Sequence, residues 1–206
     1  MRFIKKWSYG CAYLLAQQLN ENHEKRGVYY YGFQIVIGGI VKAIAMALAS
    51  LLLGIFIETV AVMAFFVSLR VIAGGFHMDT YGKCMVSSTA IFLLGGALVK
   101  YAHPYLNTVY SVALAAFIFF LGLYVMIRWA PADTPNKPIT KPKQIKRLKT
   151  LSVSYFFVWL AAIIVLLSLE LPMYALAGCI GALLSIFIVS PAGYRFFGTI
   201  GQVRQC

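Results

Sequence analysis

Long apolar runs separated by short polar breaks make up most of this chain. From about residue 31 to 73 the run is interrupted only by Lys42 and Glu58. A helix needs ~20 residues to cross the ~30 Å of bilayer hydrocarbon, so this stretch is long enough for two spans joined by a tight turn near Glu58. Runs over about 83–99 and 107–127, separated by Lys100, His103 and Pro104, predict a third and a fourth span. After a polar loop over 128–150, runs over about 151–169 and 171–189 predict a fifth and a sixth, linked by Glu170, Leu171 and Pro172. The expected fold class is all-α: a polytopic helical membrane protein with about six transmembrane helices.

The first 26 residues or so follow another pattern. Phe3, Trp7, Cys11, Leu14, Leu15 and Leu19 recur at helical spacing, with Lys5, Lys6, Gln17, Gln18 and Asn20 between them. No apolar core with a small-residue cleavage site follows, so the segment does not read as a signal peptide. It predicts an amphipathic helix. Such a helix lies on the membrane surface, with Arg2, Lys5 and Lys6 near anionic lipid, or packs on the rest of the protein. His23, among Glu21, Glu24, Lys25 and Arg26, reads as a solvated linker residue.

Composition agrees with the pattern. The 206 residues are 61% hydrophobic and only 12% charged, far from the roughly 45–50% and 25% of soluble domains. A net charge of +12 suggests nucleic acid at first sight. The basic residues, however, sit in short segments between apolar runs, as the positive-inside rule of bacterial inner-membrane proteins requires, and no nucleic-acid partner is expected. With the N-terminus inside, six spans put Arg2, Lys5, Lys6, Lys25, Arg26, Arg70, Lys83, the lysine-rich loop, Arg195 and Arg204 in the cytoplasm. Essentially only Lys100 is left outside, so both termini are expected in the cytoplasm. Lys42 is a charge inside an apolar segment and so a functional or pairing candidate; snorkelling, or pairing with Glu58, is the simpler reading. Cys11, Cys84, Cys179 and Cys206 show no CxxC pair and no zinc-type spacing, so neither a disulfide framework nor a metal site is indicated, and no cofactor is expected. Cys11 and Cys179 read as packing residues.

One short stretch concentrates the chemistry. Between two apolar runs stand Arg70, Gly74, Gly75, His77, Asp79, Gly82 and Cys84. Were residues 77–84 one helix, the histidine and the cysteine would lie ~10 Å apart along its axis, too far for the direct proton transfer that needs roughly 3 Å. The chain must fold back between them, and Gly74, Gly75 and Gly82 accept the positive φ and close approach that this takes. The expected arrangement is a loop carrying His77, then a helix beginning near Gly82 with Cys84 in its first turn. There, unpaired N–H groups and the positive dipole end favour a thiolate, as a cysteine nucleophile requires. An isolated membrane cysteine is also commonly a small packing residue, and the pair alone is not a specific signature.

A second motif adds specificity. Arg70, the run Gly74-Gly75-Phe76-His77 and Cys84, together with Ala130-Pro131-Ala132-Asp133-Thr134-Pro135-Asn136-Lys137-Pro138 and the lysines after it, resemble the accessory gene regulator B (AgrB) family. These are membrane-embedded cysteine endopeptidases that mature cyclic quorum-sensing peptides in bacteria. The resemblance extends over nearly the whole chain. It implies one integral-membrane peptidase domain over 1–206, with an amphipathic segment over 1–30 and a basic cytoplasmic loop over 128–150. It implies His77 and Cys84 as the catalytic pair, Arg70 and Gly75 as supporting positions, an AgrD-type propeptide as substrate, and a homodimer in the cell membrane.

On that reading His77 activates the Cys84 thiol for attack on a peptide carbonyl, and a cysteine or serine of the bound peptide captures the acyl group as a thiolactone or lactone. Asp79 either orients the imidazole or caps the following helix. Arg70 binds a carboxylate, stabilises an oxyanion or anchors a span end. Lys137, Lys141, Lys143 and Lys146 set topology against anionic lipid and could hold the acidic C-terminal part of the propeptide. The competing class is a non-enzymatic transporter or peptide-export helper with Lys42 and Glu58 on a pathway, although the chain lacks the internal repeat common in transporters. Metal-dependent phosphotransfer is disfavoured, because Asp79 and Asp133 are the only aspartates and sit on distant loops.

Overall fold

The computed structural model describes residues 2–19, 21–75, 80–132 and 141–202. Among them are eight α-helices and no strand: α1 (Arg2–Gln18), α2 (His23–Leu52), α3 (Phe56–Ala73), α4 (Tyr81–Ala102), α5 (Thr108–Trp129), α6 (Pro142–Ser168), α7 (Pro172–Val189) and α8 (Pro191–Gln202). Helices α2 to α7 are long and apolar enough to cross a membrane. The chain is therefore an all-α, multi-pass membrane protein.

Local chemistry sets the boundaries. Asn22 and Asn107 cap α2 and α5, each side chain accepting from the backbone N–H three residues on, at 3.1 and 2.9 Å. The α2–α3 turn is only Leu53, Gly54 and Ile55, with Gly54 at φ 65°. It comes a few residues before Glu58, which falls in the first turn of α3. His23 is the first residue of α2 rather than part of a linker.

Helix α7 is the centre of the bundle: 61% of its apolar window is buried, against 17–28% for the other five. Its small residues Ala175, Ala177, Gly178, Gly181, Ala182 and Ser185 let α3 approach closely, the usual way helices associate where lipid removes the hydrophobic drive. Polar groups complete the contacts of α7 with α6 and with α3. Trp159 Nε1 donates to the Gly178 carbonyl at 3.2 Å, and Ser185 Oγ to the Phe66 carbonyl at 3.2 Å. A Cβ at Gly181 would stand 2.7 Å from the Val62 carbonyl oxygen and 2.8 Å from Phe65 Cβ. Gly181→Ala is thus expected to force α3 and α7 apart and to cost about 1–3 kcal/mol, read as a lowered midpoint in thermal unfolding of the detergent-solubilised protein.

Two expectations change in detail, and one element is new. Helix α1 packs on α2, but through Ile4, Ser8, Ala12 and Ala16, while Phe3, Trp7 and Leu14 are 63, 57 and 60% exposed. The large apolar residues face away from the protein because the small ones allow the closer helix approach. The polar loop is shorter than 128–150, since α5 runs to Trp129 and α6 starts at Pro142, so Lys143, Lys146, Arg147 and Lys149 are helical. The tail forms α8, opened by Ser190 followed by Pro191 at the first helical position. That pairing is a recognised start signal.

Alternating spans bring the start of α2, the end of α3, the start of α4, the end of α5, the start of α6 and the end of α7 to one end of the bundle. Cys84, Arg70 and the described lysines of α6 are all at that end.

Candidate functional site

Two sequence motifs meet where α3 and α5 end. After Ala73 the chain turns sharply, with Gly74 at φ 73° and Gly75 at φ 126°. It pairs there with the segment after α5: Gly75 N–H donates to the Ala132 carbonyl and Ala132 N–H to the Ala73 carbonyl, both at 2.9 Å. A Cβ at Gly74 would overlap the Ala132 carbonyl oxygen. One at Gly75 would lie 2.7 Å from Arg70 Nη1 and 2.8 Å from Ile188 Cγ2. Both glycines thus do what the sequence asked of them, in conformations that L residues rarely adopt. Gly82 does not. It sits in the first turn of α4 and is not among the positive-φ glycines.

Cys84 is in the opening of α4, with its backbone N–H donating to the carbonyl of the N-cap residue, Thr80, at 3.1 Å. The residue at the cap position is Thr80. His77 and Asp79 themselves, with Phe76 and Met78, lie outside the described residues, as does Lys137. Ser88, one turn below Cys84, donates its hydroxyl to the Cys84 carbonyl at 2.5 Å.

The half-buried thiol opens into a cavity of about 170 Å³, room for one large side chain or several waters. Arg70 and Phe66 of α3 form one wall, the guanidinium carbon 5.8 Å above the Phe66 ring and Nη1 3.5 Å from the Gly74 carbonyl. Phe92 of α4 packs edge-on against Phe66 with centroids 5.0 Å apart. Ile188 of α7 and the buried Phe197 of α8 close the far side.

The cavity also holds Lys42, whose Nζ lies 3.9 Å from Cys84 Sγ. This overturns the pairing with Glu58: among the described residues the one ion pair is Lys25 with Glu21. The register of α2 against α4 explains the change. Tyr81 Oη donates to the Gly38 carbonyl at 2.5 Å, Lys42 meets Cys84 one turn further on, and Lys100 Nζ donates to the Gly54 carbonyl at 2.7 Å. The two helices run parallel, and Lys42 is level with the first turn of α4 rather than at mid-span. Residues 23–37 of α2, about 22 Å at ~1.5 Å per residue, project beyond the start of α4 and carry α1. Sequence reasoning marked Lys42 as an unusual charge but could not place it beside Cys84, because nothing along one helix reports its register with another.

Lys141, Lys143 and Lys146 are exposed around the start of α6 and have no acidic partner among the described residues.

Comparison with known proteins agrees with the two motifs. The family model for accessory gene regulator B matches residues 8–189. The accessory gene regulator protein B of Staphylococcus intermedius is 32% identical over 145 residues, covering 69% of this chain and 72% of that protein. AgrB-like proteins of Clostridium perfringens strain SM101 and Clostridium acetobutylicum are each 28% identical, over 71% and 91% of this chain and 69% and 87% of their own lengths. No solved structure matches the chain. With the family model covering all but the two ends, the chain belongs to the accessory gene regulator B family.

Proposed function

We propose that this protein is a membrane-embedded cysteine endopeptidase, one peptidase domain from 1 to 206, that cuts an AgrD-type quorum-sensing propeptide and closes its N-terminal product into a thiolactone or lactone. The observation that carries the reading is the Cys84 thiol at the start of α4, opening into a walled cavity at the end of the bundle where the two family motifs pair. The positive-inside bias supports a cytoplasmic location for this end and for both termini, where a newly made peptide can arrive from the membrane surface.

In the proposed reaction His77 takes the thiol proton and the Cys84 sulfur attacks the scissile carbonyl carbon, whose π pair moves to oxygen. Arg70, held over Phe66, steadies that oxyanion or the substrate's carboxylate. As the C–N bond breaks, His77 returns the proton to the departing amine, leaving a thioester on Cys84. Asp79 orients the imidazole, and Gly75 gives the Arg70 guanidinium its space. A thiol or hydroxyl of the bound peptide then attacks the thioester, a nearly thermoneutral exchange when the nucleophile is a thiol. Ring closure wins over hydrolysis if the apolar cavity excludes water and keeps the peptide folded. Lys137, Lys141, Lys143 and Lys146 draw the acidic C-terminal fragment and anionic lipid headgroups to this face, and the active assembly is a homodimer.

The test reconstitutes the protein in liposomes with the propeptide encoded beside its gene and reads products by mass spectrometry. The expected wild-type product is an N-terminal fragment one water lighter than its linear form, absent with Cys84→Ala and with His77→Ala. Cleavage that persists in both variants, or propeptide that binds uncut to the wild type, would overturn the assignment in favour of a binding or export role.

A further inference from the structure

The peptidase reading leaves Lys42 without a task, although this cation approaches the thiol. Its Nζ is 3.9 Å from Cys84 Sγ across the cavity, and over residues 35–49 of α2 it is the one side chain that is not apolar. A half-buried ammonium is costly unless an anion or several acceptors compensate it. No carboxylate among the described residues lines this cavity or pairs with Lys42. Among the described residues the group within reach of Nζ that can become an anion is the thiol.

The placement is built. Gly38 and Lys42 are one turn apart on the same face of α2, and Tyr81 and Cys84 are one turn apart on α4. The Tyr81 ring fits against Gly38 only because no side chain is there, since a Cβ would come 2.7 Å from Tyr81 Cε2. Its hydroxyl bond to the Gly38 carbonyl then holds the register that sets Lys42 opposite Cys84.

We infer that Lys42 is a catalytic residue: its ammonium holds the Cys84 sulfur as a thiolate in the resting enzyme and follows the negative charge to the carbonyl oxygen when the sulfur attacks. The inference rests on Cys84 being the nucleophile proposed above. The balance is simple. The thiol proton leaves to the imidazole of His77, the S–C bond forms as the carbonyl π pair moves to oxygen, and Lys42 keeps its protons and its charge throughout. A point charge 3.9 Å away in a partly desolvated cavity interacts far more strongly than one in water. Among the described residues the other titratable groups in electrostatic range of the thiol are Arg70 from α3 and Tyr81 from α4 itself, with Tyr194 of α8 in range of Arg70. Ile188 of α7 and Phe197 of α8 are apolar. Lys42 thus adds to a field already positive.

The experiment measures the thiol directly. Full-length protein in liposomes is alkylated with iodoacetamide from pH 5 to 10, and the rate at Cys84 is followed by mass spectrometry of its peptide, for wild type, Lys42→Met, Lys42→Gln and Lys42→Arg. The expected result is a wild-type rate already near its plateau at pH 7. In both neutral variants it should fall about tenfold at pH 5 and about twofold at pH 7, a displacement of the profile by about one unit, with the wild-type profile largely kept by Lys42→Arg. Met and Gln differ in polarity, so at least one should keep the wild-type helical content and elution volume, and the comparison uses that one. Profiles that coincide for wild type and a folded neutral variant would overturn the inference, as would a wild-type midpoint at the ordinary thiol value. Neither result depends on cleavage. A wild type that alkylates readily at pH 7 but cuts no propeptide would sink the peptidase reading alone.

Discussion

Cys84→Ser is expected to abolish propeptide cleavage, by about 10³-fold or more, while leaving the fold and the affinity for the propeptide intact. The substitution changes one atom in a half-buried position, with Lys42 3.9 Å from it and the Ser88 hydroxyl engaged with the backbone carbonyl below. Nothing in the packing resists it. The chemistry does, since a thiol reaches its anion near neutral pH when a cation and an imidazole are at hand, and a hydroxyl needs a strong base in line with it. On the reading proposed above, the cation and the imidazole at this site suit a thiol and not the far less acidic hydroxyl. The variant should therefore bind the uncut propeptide in a liposome co-flotation assay and release no fragment over hours. Residual cleavage within tenfold of wild type would mean that the reacting group is elsewhere. The same variant separates the two classes considered for this chain: a transporter whose Cys84 only packs would keep its activity.

The spans were legible because bilayer thickness dictates their length: of the four runs with bounds of their own, 83–99 falls inside α4 and the other three overrun α5, α6 and α7 by one residue each. The helix start near Gly82 was legible too, from glycine and the switch to an apolar run. What stayed hidden has a common physical cause. Apolar residues that face lipid and apolar residues that face another helix look alike in sequence, so neither the outward turn of Phe3, Trp7 and Leu14 nor the α2–α4 register could be read. Lys42 shows the consequence. Along the chain its nearest opposite charge was Glu58, but α2 is longer than a bilayer needs, and sliding it until Gly38 meets Tyr81 takes Lys42 to the helix ends, beside Cys84. The polar stretch after α5 misled for the opposite reason: lysine, glutamine, arginine and leucine are good helix formers, and Pro142 at a first helical turn starts a helix rather than breaking one. The pairing of residues 73–75 with Ala132 was equally invisible, although both partners had been singled out as motifs, because a two-bond bridge between distant segments leaves no periodicity.

That bridge leads to the prediction with the sharpest structural signature, in which neighbouring glycines should fail in different ways. Gly74→Ala places a Cβ on the Ala132 carbonyl oxygen in a residue held at φ 73°. The backbone must then either keep a strained conformation, at about 1–3 kcal/mol, or give up the two 2.9 Å bonds that join the ends of α3 and α5. The expected outcome is a lowered unfolding midpoint and faster cutting by proteinase K between Ala132 and Lys141, with activity lost because the end of α3, which carries Arg70, is no longer held against the segment after α5. Gly75→Ala meets different neighbours. Its Cβ would press on Arg70 Nη1 and on Ile188 Cγ2, the tip of a flexible side chain and a methyl group, in a residue at φ 126°. Arg70 can swing away at little structural cost, which takes the guanidinium out of the cavity that Cys84 opens into. Gly75→Ala should therefore lose cleavage by at least about tenfold with a smaller fall in the unfolding midpoint than Gly74→Ala, and Arg70→Gln should match it in activity. If Gly75→Ala retained full activity, Arg70 would be an anchor of the α3 end and not part of the reacting site. If Gly74→Ala melted and digested like wild type, the pairing of the two motif segments would contribute nothing to holding them together.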